Sequence, residues 1–240
     1  MASSTNLHIP PAEHTLKGKV HLLFRRLAYD LWRRELMRFG RERPRTLRAM
    51  IVDVGCGPGI LLHCLEAWFP TSEIVGVDSS DQLLELARSH CRKATLMKGD
   101  ACALPLKDES AEVLFALHVV EHLDRPVGFF AEALRVLVPG GLLVIATPNA
   151  EGLGAKLRKD KWSGYKDPTH IALKGSNCWR NLVRSSGFTI IRDGTTGLAG
   201  IPWFNKMPLG LIHWVPTFLF GYFPWSLGEA YICTAVKEAK

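Results

Sequence analysis

Hydrophobic and polar positions change period along this chain. Between residues 50 and 147, short apolar runs alternate with longer segments; the runs are Met50–Val54, Glu73–Asp78, Ala94–Lys98, Glu112–Leu117 and Leu142–Thr147. The runs have the length and β-branched content of buried strands. The longer segments carry apolar residues at helical spacing, which predicts helices over Pro58–Phe69 and Ser80–Cys91, the second capped by Ser79 or Ser80, and a third from near Pro126. Regular strand–helix alternation predicts a parallel, doubly wound α/β sheet with right-handed crossovers. The alternation lapses for about 27 residues after Pro148 and resumes as a helix over Ser176–Ser186 and strands over Phe188–Ile191 and Tyr231–Val236. Near the N-terminus, Leu23, Leu27 and Leu31 fall on one face of a helix expected over 16–42, among Arg25, Arg26, Arg33, Arg34, Arg38 and Arg41. Residues 1–15 read as a polar arm, and Arg43-Pro44-Arg45 ends the helical pattern.

The chemistry begins where the first strand ends. Ile51-Val-Asp-Val-Gly-Cys-Gly-Pro-Gly59 places an acid, Asp53, ahead of Gly55, Gly57 and Gly59, and a helical segment follows at once. Nineteen residues beyond Gly59 the second strand ends in another acid, Asp78. A glycine loop lets the backbone approach a ligand where a Cβ would collide, and a carboxylate can accept from two neighbouring hydroxyls. A nucleoside at the carboxyl ends of the strands is the ligand this combination suits. A dinucleotide fingerprint needs a third glycine two residues after Pro58; that position is Ile60.

The pattern D-x-G-x-G-x-G resembles the first motif of the class I S-adenosylmethionine-dependent methyltransferases. Leu137-Val-Pro-Gly-Gly141 is similar to that family's turn before the fifth strand, and His118-Val-Val-Glu-His122 to the segment after the fourth. The resemblance covers about residues 50–192. It implies a Rossmann-like, seven-stranded sheet with an antiparallel last strand, a capping N-terminal helix and an insert between the last two strands. It also implies S-adenosyl-L-methionine as cofactor. By the same resemblance Asp53, Gly55, Cys56, Gly57 and Gly59 form the loop at the aminoacyl end, Asp78 and Ser79 meet the ribose, Asp100 and Ala101 meet the adenine, and His118 lies near the sulfonium. An arginine such as Arg33 or Arg34 is implied near the methionine carboxylate. Glu112 stands where the family usually has Asp, a departure outside the cofactor loop.

Trp162-Ser-Gly-Tyr-Lys-Asp-Pro-Thr-His170 lies in the irregular segment and resembles the "W…DPxH" stretch of a small-molecule subgroup, whose histidine sits over the substrate. Imidazole titrates near neutrality and suits removal of a proton from an attacking hydroxyl. His170 and His118 are thus the candidate catalytic bases, and loop ordering is the competing role for His170. Glu121 and His122 read as structural. No metal-ligand spacing is evident among the histidines and cysteines.

Charge and composition narrow the partners. Residues 1–50 hold eleven Lys/Arg and four Asp/Glu, whereas the remainder holds nineteen of each, so the whole excess of +7 belongs to the N-terminal segment. Its helix reads as a solvated face, a cover for the cofactor, or a contact with anionic lipid. Met207–Gly228 carries no charged residue over 22 positions and includes Trp214, Phe218, Phe220, Tyr222, Phe223 and Trp225. Pro208, Pro216 and Pro224 argue against a single membrane-spanning helix. A lid over a hydrophobic substrate, an interfacial membrane contact and a dimer surface remain as readings of it.

Six cysteines without C-x-x-C pairs read as reduced and mostly buried, which with the lack of a signal-like start points to the cytoplasm, with membrane association left open. The absence of an Asn-Pro-Pro-Tyr type motif counts against nucleic-acid or protein amide substrates. The expected organisation is an arm and basic helix at 1–45, then a methyltransferase domain at 46–240 whose substrate-side segments are 148–175 and 195–228. The expected activity is methyl transfer to a small, hydrophobic molecule through an oxygen, nitrogen or carbon nucleophile. Two rival readings are a non-catalytic lipid-binding protein on the same fold and an NAD(P)-dependent oxidoreductase.

Overall fold

A computed structural model describes residues 49–196 and 226–238, together with the helical residue Arg33. The readings of 1–45, Arg33 aside, and of 197–225 lie outside the described residues. The chain separates into two compact units, Met1–Arg45 and Thr46–Lys240.

The second unit alternates as the hydrophobic pattern predicts. In chain order it contains β1 (Met50–Val54), α1 (Ile60–Trp68), β2 (Glu73–Asp78), α2 (Asp81–His90), β3 (Thr95–Lys98), β4 (Ala111–Leu117), α3 (Pro126–Val136) and β5 (Leu137–Pro148). Then follow α4 (Leu153–Arg158), α5 (Ser163–Lys166), α6 (Ser176–Ser185), β6 (Phe188–Thr195) and β7 (Ala230–Lys237). The seven strands form one sheet in the order β3-β2-β1-β4-β5-β7-β6. β1 through β5 pair in parallel, and β7 runs antiparallel to both β5 and β6. This is the expected Rossmann-like sheet with an antiparallel last strand.

Strands β1, β2, β4 and β5 are buried along nearly their whole length, as parallel strands covered on both faces must be. The core collects Val52, Leu114, Phe129, Phe130, Ile145 and Trp179 from both layers. Three differences from expectation have local causes. β5 begins at Leu137, because Leu137 pairs with Ala111 before an irregularity that brings Leu142 opposite Val113; the Val-Pro-Gly-Gly turn sits inside the strand rather than before it. β6 runs on to Thr195 past Arg192 and Asp193, since Asp193 accepts hydrogen bonds from Arg180 and Tyr231. The stretch after Pro148 holds two short helices, α4 and α5, where an irregular segment is expected.

Strand order fixes where a site can form. From β1 the strand order runs outward in both directions, to β2 and β3 on one side and to β4 and β5 on the other, and the carboxyl ends of β3, β2, β1 and β4 share one edge. A crevice opens at such a reversal of strand order. Among the described residues, no helix is long and apolar enough to cross a membrane.

Candidate functional site

At the end of β1 the chain turns through a loop whose three glycines all adopt positive φ, at +68° (Gly55), +51° (Gly57) and +79° (Gly59). The two outer glycines are closed in by protein. A Cβ on Gly55 would overlap Val119 Cγ2, and one on Gly59 would lie 2.9 Å from Cys91 Sγ. Gly57 differs, because a Cβ there would meet no atom of the described residues within 4 Å. Its backbone lies open on one side, as a ligand-facing glycine does. The amides of Gly55 and Cys56 both donate to the Val77 carbonyl, at 2.7 and 3.1 Å, which ties the loop to the end of β2.

Asp78 completes that tie. Its Oδ2 accepts from the Gly57 amide at 2.8 Å and its Oδ1 from the Ser80 amide at 2.9 Å. Each oxygen keeps a further lone pair. Ser80, rather than Ser79, caps α2, accepting from the Leu83 amide; Ser79 is exposed beside Asp78. Asp53 is buried behind the loop, and its carboxyl is pushed up to about 8 by burial and then by the charge of Asp78. Burial, followed by the charges of Asp53 and Asp78, also pushes the Cys56 thiol well up, so Cys56 contributes backbone rather than a thiolate.

The next strand along supplies Asp100, exposed just past the end of β3. Its Oδ1 accepts from the Cys102 amide at 2.8 Å, closing a tight turn with Ala103, and Ala101 lies half-buried within that turn. The carboxylate therefore performs the turn role common for aspartate while standing beyond the strand end. Asp100, Asp78, the glycine loop and His118 thus follow one another along a single edge, in the order of their strands.

β4 delivers His118 in an unusual backbone state. Its φ is +59°, sparsely populated for residues with side chains, and its amide donates to Ala146 at 2.7 Å. Such a conformation persists only where the surroundings enforce it. The imidazole is largely exposed, and its Nδ1 lies 3.1 Å from Glu121 Oε1. Glu121 is completely buried, and its Oε2 accepts from Thr147 Oγ1 at 3.0 Å. Burial pushes this carboxyl upward, but the hydrogen bond and charge of His118 and the charge of His122 outweigh it, leaving Glu121 below the usual range.

Glu121 and His122 fall on a short 3-10 turn, Val120–His122, and meet the segment after β5. The Ala172 amide donates to the Glu121 carbonyl at 2.9 Å. The His122 and His170 rings pack edge to face with centroids 4.7 Å apart. His122 Nδ1 lies 2.9 Å from Thr169 Oγ1 and 3.2 Å from the Thr169 carbonyl, and His170 Nδ1 lies 2.7 Å from the Gly164 carbonyl. One donor atom from each of Glu121, His122 and His170 lies within 4.8 Å of the others. Sequence reasoning set Glu121 and His122 aside as structural and did not see this convergence. The signal was present as a Glu-His pair after β4 and a Pro-Thr-His stretch after β5; what joins them is a fold contact between residues 48 positions apart, His122 and His170.

The 162–170 segment departs from expectation at its first aromatic. Trp162 is buried, with its Nε1 donating to Glu229 Oε2 at 2.7 Å, and it fills the space over Gly164. It anchors the segment and does not face a substrate; Tyr165, packed edge to face against it, is exposed. Asp167 shapes the turn before His170 by accepting from both the amide and the hydroxyl of Thr169. The Thr169 hydroxyl is the largest influence holding the Asp167 carboxyl below its ordinary value. Glu112 accepts from the Met50 amide at the opposite end of the sheet, away from the site. No disulfide joins the six cysteines; Cys56, Cys64 and Cys233 are buried, whereas Cys178 is exposed.

Residues 52–145 match the methyltransferase domain family, a span that runs from β1 to β5 and contains the glycine loop, Asp78, Asp100 and the 118–122 segment. The chain is 38% identical over 162 residues to malonyl-acyl-carrier-protein O-methyltransferase of Methylococcus capsulatus, covering 64% of this chain and 57% of that protein. It is 32% identical over 122 residues to trans-aconitate 2-methyltransferase of Rhizobium meliloti, covering 51% of this chain and 42% of that protein. The chain thus spans about half the length of these curated relatives. Among solved structures, one reported as a putative sarcosine dimethylglycine methyltransferase from Galdieria sulphuraria superposes with a TM-score of 0.64 at 18% identity, covering 89% of this chain and 86% of that one.

Proposed function

We propose that this chain is a class I S-adenosylmethionine-dependent methyltransferase, as its match to the methyltransferase domain over residues 52–145 supports, and that it transfers the methyl group of S-adenosyl-L-methionine to an oxygen of a small molecule. The observation that carries this reading is the line of Asp100, Asp78, Gly57 and His118 along one sheet edge, beside a cluster able to handle a proton. On this reading Asp78 uses its spare lone pairs for the ribose hydroxyls, with Ser79 beside it. Asp100 and Ala101 receive the adenine, and Asp53, Gly55, Cys56, Gly57 and Gly59 shape the loop against the aminoacyl part.

Methyl transfer from a sulfonium is an in-line displacement, and its rate depends on holding the nucleophile against the methyl carbon. The protein's residues supply that placement and a destination for the acceptor's proton. His118 and His170 are the two proton-accepting candidates. The word O-methyltransferase in the name of the Methylococcus capsulatus relative favours oxygen over nitrogen or carbon as the nucleophile.

The acceptor's apolar portion is assigned to the segment between β6 and β7. Both described ends of that segment are fastened beside the site: Gly228 donates to Thr195 Oγ1, and the Asn149 side-chain amide donates to the carbonyls of Ser226 and Gly228. Asn149 directly follows β5, at the active edge. The uncharged composition of 207–228 suits an acceptor with a hydrophobic part.

Calorimetry with S-adenosylmethionine and with S-adenosylhomocysteine tests the cofactor assignment. Both should bind, and Asp78→Ala should weaken both at least tenfold. Absence of binding by either would refute the reading. Release of S-adenosylhomocysteine against a panel of carboxylic acids, phenols, alcohols and amines then identifies the acceptor class.

A further inference from the structure

We infer that Glu121, His122 and His170 form a binding site for a divalent first-row transition cation such as zinc or manganese. The donor set is two imidazoles and a carboxylate, with one donor atom from each within 4.8 Å of the others. A bound zinc with metal–ligand bonds of about 2.0–2.1 Å brings its donors to about 3.4 Å from one another, so closure needs only small side-chain rotations.

What separates this cluster from a chance meeting of polar side chains is how each donor is held. A carbonyl can only accept, so the Gly164 carbonyl fixes the proton of His170 on Nδ1. The Thr169 hydroxyl donates to Asp167, so toward His122 it can only accept, and the Thr169 carbonyl accepts there as well. His122 is therefore also protonated on Nδ1. Both imidazoles are left with a free Nε2 lone pair, which is the form that ligates a metal, and backbone-carbonyl support of the opposite nitrogen is the usual outer partner of a metal-bound histidine. Glu121 is fixed in the same way, by His118 on one oxygen and Thr147 on the other.

Electrostatics point in the same direction. Glu121 is fully buried, and its contacts among the described residues are the His118 ring on one oxygen and the Thr147 hydroxyl on the other, with no Arg or Lys among them. Asp167 Oδ2 lies 3.7 Å from His170 Nε2 and adds a second negative charge at the rim. Two imidazoles and a carboxylate suit zinc, manganese, iron or nickel better than calcium or magnesium, which prefer all-oxygen sets. Three protein ligands leave a position open, as catalytic sites do and closed structural sites do not.

The position gives the cation a task, and this part rests on the methyl-transfer reading. Val119, between His118 and the Glu121 turn, is the side chain against which Gly55 is pressed, so the turn that carries Glu121 and His122 adjoins the glycine loop through Val119. A cation held by Glu121, His122 and His170 would be able to ligate the acceptor's oxygen and make its hydroxyl more acidic. The proton passes to His118, which is outside the ligand set and largely exposed. The oxygen then forms the new bond to the methyl carbon while the carbon–sulfur bond breaks. Its electron pair goes to sulfur, which becomes the neutral thioether, and His118 releases the proton to solvent. His170 is on this account a ligand, and His118 is the base.

The test is titration of the chelator-treated full chain with zinc, manganese and cobalt chlorides by calorimetry, alongside cobalt absorption spectra. One equivalent should bind at micromolar concentration or tighter, with a cobalt spectrum of mixed nitrogen and oxygen ligation. His122→Ala and His170→Ala should each weaken binding at least tenfold while retaining the parent's circular dichroism. His63→Ala, on the exposed side of α1, should leave affinity unchanged. Binding by none of the three ions, or equal binding by a His122→Ala/His170→Ala double variant, would overturn the site. Cofactor binding measured on the same samples keeps the two proposals apart. Cofactor binding without metal binding refutes the metal site alone, and metal binding without cofactor binding refutes the methyl-transfer reading alone. Turnover that survives exhaustive chelation would remove the cation from the reaction even where it binds.

Discussion

Gly57→Ala separates what the glycine loop does for the fold from what it does for a ligand. Alanine at φ +51° enters the left-handed region, which costs about 1–2 kcal/mol. Reduced freedom of the unfolded chain returns about 0.4–1 kcal/mol of that. The new methyl meets no atom of the described residues within 4 Å, so they add no packing term. The net loss is about 1 kcal/mol, or a fall in melting temperature of about 2–4 °C for a domain of this size. The open space over Gly57 is, on the proposed reading, where the cofactor's backbone-hugging portion lies, and the same methyl occupies it. Affinity for S-adenosylhomocysteine should fall at least tenfold, about 1.4 kcal/mol. Differential scanning fluorimetry and calorimetry on one preparation give both numbers. Gly55→Ala supplies the contrast, since its methyl overlaps Val119 and the positive φ is added to an overpacking cost of about 1–3 kcal/mol. Undiminished cofactor affinity in Gly57→Ala, with the small stability loss intact, would refute the placement of the cofactor against this loop.

Four further outcomes are expected. Asp53 is a carboxyl raised in the folded state to about 8, so the stability tied to its proton is full below the unfolded value near 4 and is lost as pH rises through about 8. Urea denaturation between pH 5 and 9 should therefore fall off more steeply in the parent than in Asp53→Asn; equal slopes would show that Asp53 does not carry the dependence. His170→Ala should lower turnover tenfold or more with cofactor affinity nearly unchanged, and an unaltered rate would return His170 to ordering the Gly164 turn. Trp162→Phe removes the hydrogen bond to Glu229, whose Oε1 has no other partner among the described residues, and should cost about 1.5–3 kcal/mol in chemical denaturation. Asn149→Ala should loosen the junction after β5, seen as faster proteolysis near Ser226 and Gly228; protection equal to the parent's would show that the four hydrogen bonds of this side chain are dispensable.

The sheet was legible because its strands are buried on both faces and so are written as unbroken apolar runs. Met50–Val54 and Glu73–Asp78 match their expected limits residue for residue. Legibility failed where a local signal competes with a tertiary one. Val138-Pro-Gly-Gly141 carries turn residues, yet pairing of Leu137 with Ala111 draws it into β5. Trp162 sits in a polar loop sequence that suggests exposure, and only the partner Glu229, 67 residues further on, explains its burial. Glu121 follows the same logic in reverse: a charged residue in a loop is expected in water, but His118 and Thr147 satisfy both its oxygens and let it be buried. Site residues within one strand–loop unit, such as Asp53 to Gly59, show themselves by spacing. Site residues assembled from β4 and the segment after β5 have no spacing to show.

The seam at the mouth of the β6–β7 segment has an architectural meaning. Thr195, Thr196, Gly228 and Ala230 bond across its base, and Gly228 lies so close to the Thr196 carbonyl that no side chain fits there. The two strands are fastened to each other before the segment departs and after it returns. The bonds at its base join residues of the described ends to one another, Gly228 to Thr195 and Ala230 to Thr196. On the proposed methyl-transfer reading such a base works as a socket: the glycine loop and Asp78 serve the donor, while the stretch fitted between Thr196 and Ser226 serves the acceptor.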